Sequence, residues 1–275
     1  MTTPSSPRSF PPTLFKRRQV LRTGFAGLLG LVSSTCLARS QSNPASSTAT
    51  PGAAPTPASP DSLPPATPLT PTPVPTPTLP PSATPRQTAG PFYPNPLPPE
   101  RDADLTQVAG ESGQADGQIL YLWGQVRWLT GEPIAGALVE IWQTNARGRY
   151  NHPRDPNPAP LDPNFQGFGQ VYTDAEGFYQ FKTIRPAAYS MGGSRWRAPH
   201  IHVQVSQPED GTGSRSGRPF TTQFYFAGEA LNADDGLYRL LSPEEQAVVT
   251  IDAQPGSAAD GPQTQRGRCD LILPT

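Results

Sequence analysis

A 275-residue chain with a formal net charge of −1 has no electrostatic reason to seek nucleic acid or an anionic membrane surface. Its 38 prolines are distributed too unevenly for one folded unit, since fifteen fall between Asn43 and Pro85, a stretch with no aromatic residue and one charge, Asp61. Such a segment cannot bury enough apolar surface to offset its ordering entropy, so residues 39–86 read as a disordered or polyproline linker whose repeated Thr-Pro suits an extended spacer.

Ahead of that linker, residues 1–38 read as an export signal. Lys16-Arg17-Arg18-Gln19-Val20-Leu21 precedes an apolar run from Gly24 to Val32, and small residues follow to Ala38. The run is too short to span a bilayer as a helix. The paired arginines before Val20-Leu21 resemble a twin-arginine (Tat) signal, which exports proteins already folded around their cofactors. The expected location is therefore periplasmic or extracellular. Cys36 is a candidate lipid-anchor cysteine, although Ser33-Ser34-Thr35 matches a lipobox poorly. The other cysteine is Cys269, so removal of the signal leaves no intramolecular disulfide and nearly excludes thiolate ligation of a metal.

Residues 87–275, about 190 in number, are enough for one domain with a sizeable core. Strands are expected over Ile119–Leu129, Ala137–Gln143 and Gly167–Val171 from their branched and aromatic residues. Thr130-Gly131-Glu132-Pro133 supplies a turn, and Thr173-Asp174-Ala175-Glu176-Gly177 a hairpin turn rather than a calcium loop. Phe178–Phe181 returns as an alternating strand, followed by strands around His200, over Thr221–Phe226 and over Cys269–Leu273. Ser242-Pro243-Glu244-Glu245 marks one short helix, with Ser at the N-cap, Pro at the first helical position and Glu three residues on. Short strands with Gly/Pro turns and little helix predict an all-β fold, a β-sandwich of mainly antiparallel strands. Two long loops, Asn151–Gln166 and Ser190–Ala198, are places for a site on such a scaffold.

The chain has three histidines, and two stand one residue apart in Arg197-Ala198-Pro199-His200-Ile201-His202-Val203-Gln204-Val205. Side chains on a strand alternate, so His200, His202 and Gln204 share one face while Ile201, Val203 and Val205 face a core. Two imidazoles about 7 Å apart along a strand can converge on one metal. The plain alternative is a hydrogen-bonded strand face. Tyr150 and Tyr189 each sit at a strand end, where a buried phenol with a satisfied hydroxyl is the ordinary explanation. Two phenolates joined to two imidazoles would favour ferric iron.

These residues and several blocks around them resemble the intradiol ring-cleavage dioxygenases. The blocks are Thr88-Ala89-Gly90-Pro91-Phe92-Tyr93, the stretch from Gly124-Gln125-Val126 to Tyr150, Leu161-Asp162-Pro163-Asn164-Phe165, Thr183 to Tyr189, Trp196 to His202, and Thr222-Gln223-Phe224-Tyr225-Phe226. The resemblance implies four protein ligands to a non-haem Fe(III): Tyr150, Tyr189, His200 and His202. It implies that Arg197 stabilises charge on the substrate, that Gln223 lines the same pocket, and that Tyr189 takes a catalytic part by leaving the metal and accepting a proton. The implied reaction opens a catechol-type ring with O2 between its two hydroxylated carbons, giving a cis,cis-muconate-type diacid. A protocatechuate-like compound is the expected substrate, and a homo-oligomer is compatible with the family. Arg149, beside Tyr150, is a further candidate for substrate contact. His152 reads as a solvated loop residue and Trp196 as packing.

Two departures bear on the substrate. The segment Ser190–Trp196 is shorter than in the protocatechuate enzymes and lacks their aromatic residue after the tyrosine, and the region before Val126 differs from theirs. No N-terminal helical segment of the kind that pairs catechol 1,2-dioxygenases is legible. The first rival reading is a secreted, non-catalytic β-sandwich binding module. The second is a hydrolase with a two-histidine zinc site, which would need a carboxylate ligand or base that the sequence does not place beside the pair.

Overall fold

Alternation builds the first strand: Leu120, Leu122, Gly124 and Val126 are buried, while Ile119, Tyr121, Trp123 and Gln125 between them are half-buried. In a computed structural model that describes residues 82–208, 217–257, 260–261 and 263–275, this strand is the spine of one of two five-stranded sheets. The described strands are β1 (Ile119–Trp128), β2 (Leu138–Trp142), β3 (Phe168–Tyr172), β4 (Phe178–Ile184), β5 (Tyr189–Ser190), β6 (Trp196–Arg197), β7 (Ile201–Ser206), β8 (Phe220–Phe226), β9 (Thr250–Ile251), β10 (Gln254–Pro255), β11 (Thr264–Arg268) and β12 (Leu271–Leu273). β4 runs antiparallel to β1 from Ile119↔Ile184 to Gln125↔Phe178. β11 and then β12 run parallel to β1, and β10 completes that sheet. The second sheet has the order β3-β2-β7-β8-β9, antiparallel except for the β8–β9 pair.

The two sheets close on one apolar core. Leu120, Leu122, Val126 and Phe181 from the first meet Val139, Ile141, Val203 and Val205 from the second, all essentially without exposure. At about 25 cal/mol per Å² of apolar surface removed from water, this shared layer is what holds the sandwich together. The short helix α1 (Pro243–Val249) begins as its sequence dictates. Ser242 Oγ accepts from the Glu245 backbone N–H, and the Glu245 side chain reaches back to the Ser242 N–H.

The mainly antiparallel β-sandwich and, among the described residues, the single short α-helix match the sequence expectation, with two corrections. The segment Ser190–Ala198 is not a plain loop, because Tyr189↔Arg197 and Ser190↔Trp196 pair as a small hairpin. Trp196 is accordingly not packing. It is 47% exposed, because Arg197 takes the inward position on a two-residue strand and its neighbour must face out. Upstream of residue 87, Thr84 is buried and exchanges hydrogen bonds with Ile272, both at 2.9 Å. Residues 1–81, with the expected signal, Cys36 and most of the expected linker, lie outside the described residues.

Candidate metal centre

Tyr150 and Tyr189 are far apart in sequence and are joined by two backbone turns that lock together. After β2, Asn145 Oδ1 accepts the backbone N–H groups of Arg147 and Arg149 at 2.9 and 3.0 Å, which curls the chain into a tight loop. Gly148 makes the return possible. Its φ is +74°, and the Ala188 carbonyl stands where a Cβ would be. Thr144 Oγ1 donates to the Ala187 carbonyl at 2.8 Å, and the Ala187 N–H donates to the Asn145 carbonyl at 3.3 Å. The two tyrosine rings therefore meet edge to face, with centroids 5.5 Å apart. Tyr150 is also covered by Phe92, at 4.6 Å between centroids, and its backbone N–H is held by Asp155.

The histidines come from β7 and the residue before it. β7 lies between β2 and β8, so His202 sits opposite Trp142 on one side and Gln223 on the other. The Trp142 indole lies parallel to the His202 ring, 4.9 Å between centroids and 3° between planes. Both histidines are almost fully buried, as is Tyr150, while Tyr189 is half-buried. His200 Nδ1 is 2.6 Å from the Ala198 carbonyl, which requires a proton on Nδ1 and leaves the Nε2 lone pair free. That Nε2 stands 3.3 Å from His202 Nε2 and 3.4 Å from the Tyr150 hydroxyl. His202 Nδ1 has no partner in hydrogen-bonding geometry, although Thr88 acts on the ring from nearby.

Electrostatics keep both rings neutral. Burial, reinforced by the nearby Arg197 charge, pulls His200 down to about 3. Burial, then His200 and Arg197, holds His202 well below the usual imidazole value. Burial and the neighbouring Tyr189 push Tyr150 well above 10, whereas the rise that burial gives Tyr189 is partly offset by Arg197. Neutral imidazoles are the form that binds metals, and phenols bind them by giving up a proton.

The donor set fits a metal ion. Two buried nitrogens and a phenol oxygen face one another at 3.3 and 3.4 Å, and a single hydroxyl proton cannot serve them all. Nitrogens each about 2.1 Å from one ion stand roughly 3.0–3.4 Å apart. No group of three or more His, Cys, Asp or Glu side chains that could hold a metal occurs among the described residues, and the side chains that face the two imidazoles are the phenols of Tyr150 and Tyr189.

Arg197 closes one side of the centre. Its Nη2 donates to Gln223 Oε1 at 2.6 Å and lies 3.4 Å from the Tyr225 hydroxyl, and its Nε donates to Asp235 at 2.8 Å. The guanidinium also acts on the Tyr189 hydroxyl. Gln223 is fully buried and spends its amide on this network, since its Nε2 donates to the Thr88 carbonyl at 2.9 Å. Arg149 goes elsewhere. Its guanidinium donates to the Ala159 carbonyl, its Nε is buried without a partner, and its backbone bonds to Asn145, so none of these hydrogen bonds reaches the four donors. His152 is half-exposed and accepts the Arg154 N–H at 3.1 Å. A cavity of about 210 Å³ borders Tyr150, Trp142 and Phe92, but its walls include none of His200, His202, Tyr189 or Arg197. It is not the space the four donors enclose.

Sequence reasoning did not find Asp235 or Trp142. Neither carries a motif of its own, although Trp142 lies two residues from Glu140 on a strand face that could have been followed.

A family model described as Dioxygenase matches residues 88–265. The protocatechuate 3,4-dioxygenase beta chain of Burkholderia cepacia is 43% identical over 140 residues, 50% of this chain and 57% of that one. Catechol 1,2-dioxygenase 1 of Acinetobacter lwoffii is 31% identical over 191 residues, 65% of this chain and 56% of that one. The chain thus spans little more than half the length of these curated relatives. Among solved structures, 3-chlorocatechol 1,2-dioxygenase of Rhodococcus opacus 1CP superposes with a TM-score of 0.53 at 21% identity, covering 70% of this chain and 74% of that one. Hydroxyquinol 1,2-dioxygenase of Pseudomonas putida DLL-E4 does so at 0.52 and 18% identity, covering 70% and 67%. At those identities the likeness is one of fold.

Proposed function

The chain belongs to the intradiol ring-cleavage dioxygenases, and from that membership we propose that it holds non-haem Fe(III) on Tyr150, Tyr189, His200 and His202. We propose further that it opens a catechol-type ring with O2 between the two hydroxylated carbons, giving a cis,cis-muconate-type diacid. The observation that carries this reading is the convergence of two neutral imidazole Nε2 atoms, 3.3 Å apart, with two phenols inside a buried site flanked by an arginine. When bound, Fe(III) supplies a Lewis acid and a template for substrate and O2.

The chain's own residues do the rest. Tyr150 is enclosed by Phe92 and Tyr189, so it would be the fixed one of the two phenol donors. Tyr189 is half-buried on a two-residue strand, so its Oη would be the more accessible of the two phenol oxygens to take a catechol proton. The Arg197 guanidinium offsets negative charge on the catechol dianion without being able to lose its own proton. Trp142 against His202 and Phe92 against Tyr150 keep water from the donors on those sides.

A protocatechuate-like substrate is the preferred reading because 43% identity links this chain to a protocatechuate enzyme's beta chain. Export through a Tat-like signal rests on the pattern in residues 16–38 alone, as does a lipid anchor at Cys36. A non-catalytic binding module has no use for two buried imidazoles and a buried phenol that converge beside a second phenol.

Purified, iron-loaded protein should be red-purple from tyrosinate bound to Fe(III), and the colour should shift on anaerobic addition of a catechol. Oxygen uptake with protocatechuate, catechol and hydroxyquinol side by side ranks the substrates. A colourless protein that retains no iron after reconstitution would sink the proposal.

A further inference from the structure

Arg197 is buried, and a guanidinium taken out of water needs a partner for its charge. The partner is Asp235, which is fully buried between two 3-10 turns, Ala230–Ala233 and Tyr238–Leu240. Each of its carboxylate oxygens takes two donors. Oδ2 accepts from Arg197 Nε at 2.8 Å and from the Ala198 backbone N–H at 2.9 Å. Oδ1 accepts from the backbone N–H groups of Leu237 at 2.9 Å and Tyr238 at 3.1 Å. All four acceptor positions of an ionised carboxylate are filled.

The second oxygen fixes the aspartate to its own turn, and the first applies that fixed point to the site. The far end of the guanidinium is held by Gln223 and Tyr225, so Arg197 is gripped at both ends and only its remaining edge is left for Tyr189 and for a bound anion. The same oxygen reaches further through Ala198, whose carbonyl accepts His200 Nδ1 at 2.6 Å. One buried carboxylate thereby orders the two-residue stretch that supplies both the arginine and the acceptor that aims a histidine.

We propose that Asp235 is the positioning residue of this site, setting the orientation of the Arg197 guanidinium directly and that of the His200 imidazole through the Ala198 backbone. The kinetic part of this inference rests on the proposed dioxygenase reading, while the structural part does not. Asp235→Asn separates the role from simple burial. Whichever way the amide turns, Asp235→Asn removes the negative charge that holds the Arg197 Nε–H, and its single oxygen leaves one of the two donor pairs without an acceptor.

The test has two arms. In metal-free protein labelled with 15N-arginine, the Arg197 Nε–H signal is assigned by its loss in Arg197→Ala, and its exchange with solvent is timed. Exchange should be at least about 10-fold faster in Asp235→Asn than in wild type. In iron-loaded protein, kcat/KM for a catechol should fall by about 10- to 100-fold, the range seen when a partner that orients a ligand is lost. The double variant Asp235→Asn/Arg197→Ala should then lose less than the product of the two single losses, because Asp235 acts in large part through Arg197 and only the arm through Ala198 to His200 is left for it to affect. Unchanged Nε–H exchange overturns the proposal, and so do losses that multiply in the double variant, which would mark Asp235 as a general anchor of its turn. Should wild type take up no oxygen with any catechol, the dioxygenase reading fails while the exchange arm still decides the clamp. If the asparagine variant does not fold, Asp235→Glu keeps the charge and displaces it by one methylene. Its exchange rate is read against the same two outcomes.

Discussion

Two buried tyrosines of this domain should answer the same substitution in opposite ways. Tyr150 and Tyr179 are both nearly without exposure, at 2% and 1%. Tyr150→Phe keeps the ring that packs on Phe92 and Tyr189, so the apolar contribution is unchanged. What goes is a hydroxyl 3.4 Å from His200 Nε2, long for a bond donated by oxygen. Its net worth is at or below about 1 kcal/mol. In a domain of this size that shifts Tm by no more than about 2–4 °C. Iron binding should suffer far more, since a phenolate donor is lost outright, and a fall beyond the roughly 100-fold that follows loss of a supporting hydrogen bond is expected. Tyr179 is the control. Its hydroxyl donates to the Cys269 carbonyl at 2.5 Å, so Tyr179→Phe leaves a buried acceptor unpaired, at about 1–3 kcal/mol, yet touches none of the four donors. The assay compares melting of the metal-free variants with iron content and the visible band after reconstitution. Tyr150→Phe protein that still binds iron with an unchanged band would refute the ligand assignment, as would loss of the band in folded Tyr179→Phe.

Gln223→Leu removes the fully buried side chain that accepts from Arg197 Nη2. It should destabilise the fold by about 1.5–3 kcal/mol in urea titrations, because the lost bond is to a charged group. Gly148→Ala places a side chain at φ +74° and against the Ala188 carbonyl. It should cost at least about 1–2 kcal/mol from backbone conformation alone and reduce iron content by shifting Tyr150 relative to Tyr189. Equal stability and iron content in that variant would show that the turn does not set the tyrosine pair.

The histidine pair could be found from sequence because a strand's period of two is a local rule, and Ile201, Val203 and Val205 supply the apolar face that orients it. The capping box at Ser242 was equally legible for the same reason, since its two hydrogen bonds span three residues. Legibility fails where pairing is distant and composition is neutral. β11 reads Thr-Gln-Arg-Gly-Arg, with no apolar alternation, and becomes a strand only because β1 offers a parallel edge. The tyrosines were intermediate cases. Each alone is an ordinary buried phenol, and what makes them a pair is the contact of Thr144 and Asn145 with Ala187, made across more than forty residues.

Asp235 shows where local rules end. It follows Asp234, and nothing in the composition or spacing of that pair distinguishes the two carboxylates. In the fold, Asp234 is exposed at the end of a 3-10 turn, while Asp235 is fully buried under four donors, two of them from the segment that carries Arg197. A carboxylate survives in such a place only when its partners are already assembled around it. Its role is therefore a property of how Arg197, Ala198 and the Leu237–Tyr238 turn come together. The residue that orders the site is the one whose significance depends most on long-range packing and least on its own neighbours in sequence.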